Sequence, residues 1–543
     1  MGSGQLEVER KFEAGPDVVL PDLTVVDGVT AAGDPVTHEL DATYYDTPDL
    51  RLARARITLR RRSGGTDAGW HLKLPTAVAG SRRELHAPLG TRRTLVPRAV
   101  TEPVTAVLRG VRPAPVATLQ TTRQVTHLLG DNGAVLAEVA VDTVTGTALA
   151  PDPETPATVM TWREIEVELV GGDEALLDGV TAALAGAGIR PSDAPSKLSR
   201  VLADRLAALV PAPVARPAAD SGAQRGGKKG KKGRKGEQGS AEPVPTAAEA
   251  VLGALRSQVR ALQTADIGVR TGDPEGVHDL RVACRRLRSI LAAFRSVLDR
   301  TATDPVRDEL QWIGAALSGA RDGEVALEHL KSVVAAQPVA LVRGPVAARL
   351  QQSEVADVER GRKAAVRALS DKRHLALLDT LDALLNDPPL AEAAGEPART
   401  VLADAVKRTG KRLQARIDES RAHEQEDPGA HEEESEHALH EVRKSAKRVR
   451  YTAEVATSLL GAPAEALVAC MKEVQDVLGE AQDTVVARQW CERLATAAVG
   501  AGEDTFTYGR LHALEEMRAE HADQRFWALE PTLRAAVKAA ARA

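Results

Sequence analysis

Residues 6–13, LEVERKFE, alternate strictly, with Leu6, Val8, Arg10 and Phe12 on one side and Glu7, Glu9, Lys11 and Glu13 on the other. That is the period of a β-strand. Short alternating runs recur at 55–62, 69–75, 82–89, 116–129, 134–144 and 161–170, separated by Gly, Pro and Asp, and read as strands with the first at 5–12. Asn132-Gly133, between two such runs, predicts a tight primed hairpin turn. Helical patterns follow at 173–187, ending at Gly188, and near 195–209 after a proline. From 246 onward the period changes to 3.6, with abundant Ala, Leu, Arg and Glu, broken by a turn at 386–398 and an acidic loop at 424–434. Between the two patterns, residues 207–245 hold almost no large apolar side chains. Such a stretch cannot bury enough surface to offset its ordering entropy. The expectation is an α+β two-domain chain: a β-rich domain over 1–206, a disordered basic linker over 207–245 and an all-α domain over 246–543.

The chain has 543 residues and a formal net charge of -5, so charge is balanced overall and patterned locally. Aromatics are 2% of the residues, which leaves few platforms for stacking bases and makes nucleic acid an unlikely partner. Cys284, Cys470 and Cys491 have no CxxC spacing, which argues against a disulfide framework and against zinc. No apolar run approaches the length of a membrane span and no secretory signal pattern opens the chain, so the expected location is the cytoplasm. The linker's basic run, Arg225 to Lys235, reads as a solubilising tether or as a polyanion contact. The acidic loop holds His431, with His423 and His437 on either side of it, and a solvated loop is the simpler reading than a metal cluster.

One strand with a charged face is ordinary; here the pattern recurs on strand after strand. The faces carry Glu7, Glu9 and Lys11; Thr58, Arg60 and Arg62; His71 and Lys73; Arg82, Glu84 and His86; Arg123; Glu138 and Asp142; and Glu164, Glu166 and Glu168. Carboxylate-rich and cation-rich strands together make sense if all face one lumen, because a closed antiparallel barrel puts every second residue inside. Buried charges must be paired or must bind ligands. A triphosphate with a divalent cation satisfies both sets, with Arg and Lys on phosphate oxygens and carboxylates on a hard metal.

Glu7-x-Glu9-x-Lys11 resembles the ExExK signature of the CYTH family, the triphosphate tunnel metalloenzymes. The Leu-Arg-Arg-Arg run, WHLKLP, Arg-x-Glu, EIEVE and SKLSR at 196–200 extend the resemblance over about residues 1–206. It implies an antiparallel tunnel, dependence on Mg²⁺ or Mn²⁺, and hydrolysis or cyclisation of triphosphates. Carried over by position, Glu7, Glu9 and either Glu168 or Glu166 would bind metal. Lys11, Arg60, Arg62, Lys73, Arg82, Arg123 and Lys197 would grip phosphates. Glu84, Glu138 and Asp142, with Glu164 on the same face, would orient the basic residues or a second metal. Lys11, with a neighbouring carboxylate such as Glu84, is the candidate for positioning the attacking water; as a general base Lys11 would need a strongly lowered pKa.

The helical half contains a repeat. VHDLRVACRRLRS (277–289) aligns with LHEVRKSAKRVRY (439–451), matching His278 with His440, Arg281 with Arg443, Arg285 with Lys447 and Arg288 with Arg450. These offsets span about 80° of one helical face. LSGARDGEVA (317–326) echoes LGEAQDTVVA (478–487), with Asp322 and Asp483 in register. Lys407, Lys411 and Arg412, with Arg408 and Arg416, add a third basic stripe. Two such helices packed together merge into a surface for a long polyanion. This half resembles the CHAD family, named for histidines conserved in a helical domain, which implies two pseudo-symmetric four-helix bundles and binding of inorganic polyphosphate. The expected protein is a metal-dependent triphosphatase acting on tripolyphosphate or a polyphosphate end, fused to a polyphosphate-binding module and associated with polyphosphate granules. The alternatives are a non-catalytic polyphosphate-binding scaffold and a class IV-type adenylate cyclase.

Overall fold

The computed structural model describes residues 5–65, 67–76, 81–90, 95–150, 152, 154–209, 244–317, 322–426 and 432–542. The Arg225–Lys235 run and His431 lie outside them, as do the side chains of Glu7, Asp322 and His423. The chain divides into two compact units, Met1–Pro211 and Ala212–Ala543.

Eight long strands build the first unit: β1 (Gln5–Ala14), β2 (Val36–Asp46), β3 (Thr58–Ser63), β4 (Gly69–Pro75), β5 (Ser81–Ala87), β6 (Ala114–Leu129), β7 (Val135–Ala148) and β8 (Thr158–Leu169). Their order is β1-β5-β4-β3-β2-β6-β7-β8, and β8 pairs back onto β1, so the antiparallel sheet closes. Two-residue strands at Ala31–Ala32 and Arg190–Pro191 extend it. β2 is a strand that the alternating runs of the sequence do not predict. Its inward positions, Val36, His38, Leu40, Ala42 and Tyr44, mix apolar and polar types and blur the alternation. The β6–β7 turn has Asn132 at φ 60° and Gly133 at φ 73°, the positive angles that a primed turn requires.

The outer face of β1, β7 and β8 is apolar. Phe12, Val139, Ile165 and Val167 pack there against Leu176, Leu177, Val180 and Leu184 of helix α1 (Glu174–Gly186). Asp173 caps this helix, accepting from the Leu176 N–H at 3.0 Å. Helix α2 (Lys197–Val201) opens with a reciprocal Ser196/Ser199 capping box. Leu198, Val201 and Leu202 seat it against Ala42, Tyr44, Leu119 and Val144 of the barrel. Packing thus fixes the start of α2, and with it Lys197.

The second unit is helical: α3 (Ala247–Thr271), α4 (Gly276–Ala293), α5 (Arg300–Ala316), α6 (Asp322–Ala335), α7 (Val346–Leu369), α8 (Lys372–Asn386), α9 (Ala398–Glu426), α10 (Glu432–Leu460), α11 (Ala462–Gly500) and α12 (Phe506–Ala540). The repeat helices α4 and α10 touch: Arg286 lies 3.3 Å from Glu454 and 5.4 Å from the centre of the Tyr451 ring. Residues 478–487 lie within the unbroken α11, whereas α5 ends at Ala316 and α6 begins at Asp322. A buried polar knot ties α3 to α8: Asp266 bonds His374 Nε2 at 2.9 Å and the Arg270 guanidinium, which also donates to the Leu369 carbonyl at 2.7 Å. No helix among the described residues is long and apolar enough to cross a membrane.

Candidate functional site

Strand register decides which charges meet. Glu9 lies opposite Glu168, and Lys11 opposite Glu166, across the β1–β8 seam. Glu138 faces Glu168 and Asp142 faces Glu164 on β7–β8, while Arg123 faces Asp142 on β6–β7. Lys73 faces Thr58 on β3 and Glu84 on β5. The alternation puts these side chains inside the barrel, around a cavity of about 450 Å³. Glu9, Lys11, Arg60, Arg62, Lys73, Arg82, Glu84, Arg123, Glu138, Glu166, Glu168 and Lys197 all line it. Glu7 pairs with Arg82 through the backbone at one end of β1. His38, Tyr44 and Asp67 also line the cavity, on β2 and on the loop joining β3 to β4, neither of which carries a run of charge, and His127 and Ser196 line it too.

Three layers of chemistry fill the lumen. In the first, Asp142, Glu164 and Glu166 bring carboxylate oxygens within 4.8 Å of one another. Cations from the chain itself occupy this triad. Lys197 Nζ lies 2.9 Å from Asp142, 2.7 Å from Glu164 and 2.8 Å from Glu166. Arg123 grips Asp142 with two bonds, of 2.8 and 2.7 Å, and also bonds Glu166. Trp162 Nε1 donates to Glu164 at 2.6 Å. Burial would raise the Glu166 carboxyl, but Lys11, Lys197 and Arg123 outweigh it and hold it well below the usual range. Arg123 and Lys197, expected on phosphate, are thus engaged as counter-ions. Partners on β7 and β8, far away in sequence, claim them.

The second layer is a carboxylate row, Glu9–Glu168–Glu138, running across three adjacent strands. Like charges directly opposite one another are destabilising. Burial raises the Glu168 carboxyl, and Glu9, Glu138 and Glu166 add to the rise against Lys73. Burial also acts on Glu9, but Lys11 at 3.1 Å, with help from Lys73, takes that carboxyl below its ordinary value. An all-oxygen donor row with a repelled member suits a hard divalent cation, so the residues fit the metal that the fold implies. Lys11 runs opposite to the expectation for a general base. Burial would lower its ammonium, yet Glu166 and Glu9 raise it, so in this arrangement it is a fixed cation that positions two carboxylates.

The third layer is cationic. Burial, Arg60 and Arg123 push the Arg62 guanidinium down to about 10. The buried Nε–H groups of Arg60 and Arg62 have no acceptor among the described residues. Lys73 lies 3.7 Å from Glu84 and Arg60 3.9 Å from it. Asp67 contacts Arg62. Arg82 donates to the Pro195 carbonyl at 3.0 Å. Crowded cations with unused donors are what an oligophosphate satisfies.

In the helical unit, α4 carries an exposed His278 and half-buried Arg281, Arg285 and Arg288. On α10, Arg443 rests against Gly479 and Lys447 is half-buried. Arg450 bonds Glu454 at 2.9 Å and Gln475 at 3.2 Å. His440 lines a cavity of about 570 Å³ whose other charged walls include Glu436, Glu516, Glu520 and Asp523, an acidic setting. The strongest basic focus is a residue outside the matched stripes. Arg448 on α10 is pushed below the usual guanidinium value by burial and by Arg412, Arg307, Arg288 and Arg295, which come from α9, α5, α4 and the turn after α4. Its guanidinium makes no ion pair or hydrogen bond with a described residue. Lys407, Lys411 and Arg412 stand exposed on α9. The periodicity of a single helix carries no mark of a cluster that four elements make together.

Known proteins match both halves. The family model for the CYTH domain covers residues 5–201 and that for the CHAD domain covers residues 253–492. An uncharacterized protein of Mycobacterium tuberculosis is 35% identical over 551 residues, covering 99% of this chain and 98% of that protein. Thiamine-triphosphatase of Macaca fascicularis is 40% identical over 80 residues, 14% of this chain and 30% of that enzyme. The CHAD domain from the plant Ricinus communis superposes with a TM-score of 0.41 at 25% identity, over 54% of this chain and 92% of that one. Matched in order by both domain models and along 99% of its length by the mycobacterial relative, the chain belongs to the proteins that carry a CYTH domain followed by a CHAD domain.

Proposed function

We propose that the barrel hydrolyses P–O–P bonds in tripolyphosphate or at the end of a polyphosphate chain with Mg²⁺ or Mn²⁺, and that the helical unit binds polyphosphate. The observation that carries this reading is the meeting of the carboxylate row Glu9–Glu168–Glu138 with the cations Arg60, Arg62 and Lys73 around one cavity. The thiamine-triphosphatase relative, named for a triphosphate, supports the same substrate class.

Glu9, Glu168 and Glu138, with Glu7 next along β1, would hold the cation. When bound it neutralises phosphate oxygens and lowers the pKa of a water. Arg60 and Arg62 offer paired donors to non-bridging oxygens, and Lys73 adds a point charge. Lys11 keeps Glu9 and Glu166 apart and in place. Phosphoryl transfer asks the protein mainly for alignment and charge stabilisation, which is what this lining provides.

Phosphate release from tripolyphosphate with Mg²⁺ or Mn²⁺, in wild type and Glu9→Gln, tests the reading. Release lost in the variant while tripolyphosphate still binds supports hydrolysis. No release from folded wild type removes it and leaves a binding tunnel. The cluster around Arg448 supports that scaffold reading equally well, because it needs no turnover.

A further inference from the structure

His71 occupies an inward position on β4, opposite Arg60 on β3 and His86 on β5. It is 2% exposed and lies beneath the lining rather than on it. Both ring nitrogens face acceptors: Nδ1 is 2.7 Å from Glu84 Oε1, and Nε2 is 2.9 Å from the Asp67 carbonyl. A carbonyl has no proton to give, so Nε2 carries the hydrogen. The short contact on the other side then needs a proton of its own, on Nδ1 or on Glu84. In either placement the His71–Glu84 pair is neutral in sum.

That neutrality matters because of where Glu84 sits. It lines the cavity, 3.9 Å from Arg60 and 3.7 Å from Lys73. A bare carboxylate there would repel an incoming phosphate and cancel one of the cations meant to hold it. The charged and titratable groups facing the pair are Arg60 and Arg62 from β3, Asp67 from the loop joining β3 to β4, Lys73 from β4 and His86 from β5, whose ring centre is 4.9 Å from that of His71. Burial, with Arg60 and Arg62, lowers the His71 imidazole, while Glu84 opposes them.

We propose that His71 and Glu84 share one proton that cancels the Glu84 charge, making His71 a positioning residue that sets the anion affinity of the tunnel's cationic end. The proposal rests on the triphosphate reading of the tunnel. It goes further in assigning a pH-dependent grip to a residue that touches no substrate. With the proton present, Arg60, Arg62 and Lys73 act on phosphate undiminished. As pH rises and the proton leaves, an anion stands among them and oligophosphate binding weakens.

The test is calorimetric binding of tripolyphosphate to the full chain in a metal chelator, from about pH 4.5 to about pH 8, a range that reaches below ordinary imidazole titration because the His71 imidazole is lowered. Binding without metal needs no turnover, so it is read separately from hydrolysis. The substrate's own titration is common to every variant. Wild type should lose affinity toward high pH more steeply than Glu84→Gln, which should bind at every pH as wild type does at low pH. His71→Gln keeps a donor for the Asp67 carbonyl but cannot share the proton; it should bind about tenfold more weakly at low pH, one pK unit's worth of interaction. The double variant His71→Gln/Glu84→Gln should recover that loss, which repair of a merely packed histidine would not do. A Glu84→Gln slope equal to wild type, or a double variant as weak as His71→Gln, overturns the proposal. Folded wild type that binds no tripolyphosphate at any pH overturns the triphosphate reading of the tunnel and this proposal with it.

Discussion

Glu9 and Glu168 lie directly opposite each other across the seam where the first and last long strands close the barrel. Two carboxylates in that relation repel unless a cation lies between them. The raised Glu168 carboxyl means that the folded protein keeps a proton the unfolded chain has already released. Stability therefore falls as pH rises through the window above the ordinary glutamate value. In a chelator at about pH 8, Glu168→Gln should be more stable than wild type, because the variant carries no charge to repel Glu9 and Glu138. Calorimetric melting with and without Mg²⁺ checks this. The ion should raise the wild-type melting temperature and have less effect on the variant.

Lys197 binds three carboxylates at once. Replacing it with methionine takes the cation from Glu164 and leaves Asp142, which is fully buried, with Arg123 alone. Removing one partner of a buried ion pair costs about 3–5 kcal/mol. We expect a loss of that order in the barrel, and partial recovery when Asp142→Asn is added. A Lys197→Met protein that melts like wild type would show that the triad is not held by this lysine.

Arg448 has the opposite signature. It is a half-buried cation surrounded by others, so Arg448→Ala should leave the ligand-free helical unit as stable as before or more so. Its affinity for long-chain polyphosphate should fall, and the salt dependence should flatten by about one released counterion. Titrations at three salt concentrations read both effects. Unchanged affinity would move the polyanion site elsewhere on the unit.

His374 and Asp266 are fully buried partners in the knot that joins α3 to α8. His374→Ala should destabilise the helical unit by about 3 kcal/mol, through a cavity and the loss of one of the two buried partners of Asp266, which keeps Arg270. Phosphate release by the barrel should be unaffected. Melting and phosphate release, measured on one preparation, separate the two units' contributions.

The lumen was legible wherever charge alternated. Glu9, Lys11, Arg60, Arg62, Lys73 and Glu168 project inward because period two leaves no other choice once one strand's face is fixed. Pairing was not legible. Nothing near Arg123 or Lys197 in sequence announces Asp142, Glu164 and Glu166, since those contacts come from strand order and from the seating of α2. β2 escaped because Ala42 and His38 are weak markers of an inner face. Arg448 escaped because its neighbours Arg288, Arg307 and Arg412 reach it from three other helices.

The seam has a temporal consequence. β1 is made first, but its partner β8 ends at Leu169, so Glu9 cannot meet Glu168 until most of the unit exists. Contacts so distant along the chain form slowly, whereas helical units rich in local contacts form quickly. During refolding, helical ellipticity should return before phosphate release does, and the interval between them times the closing of the ring.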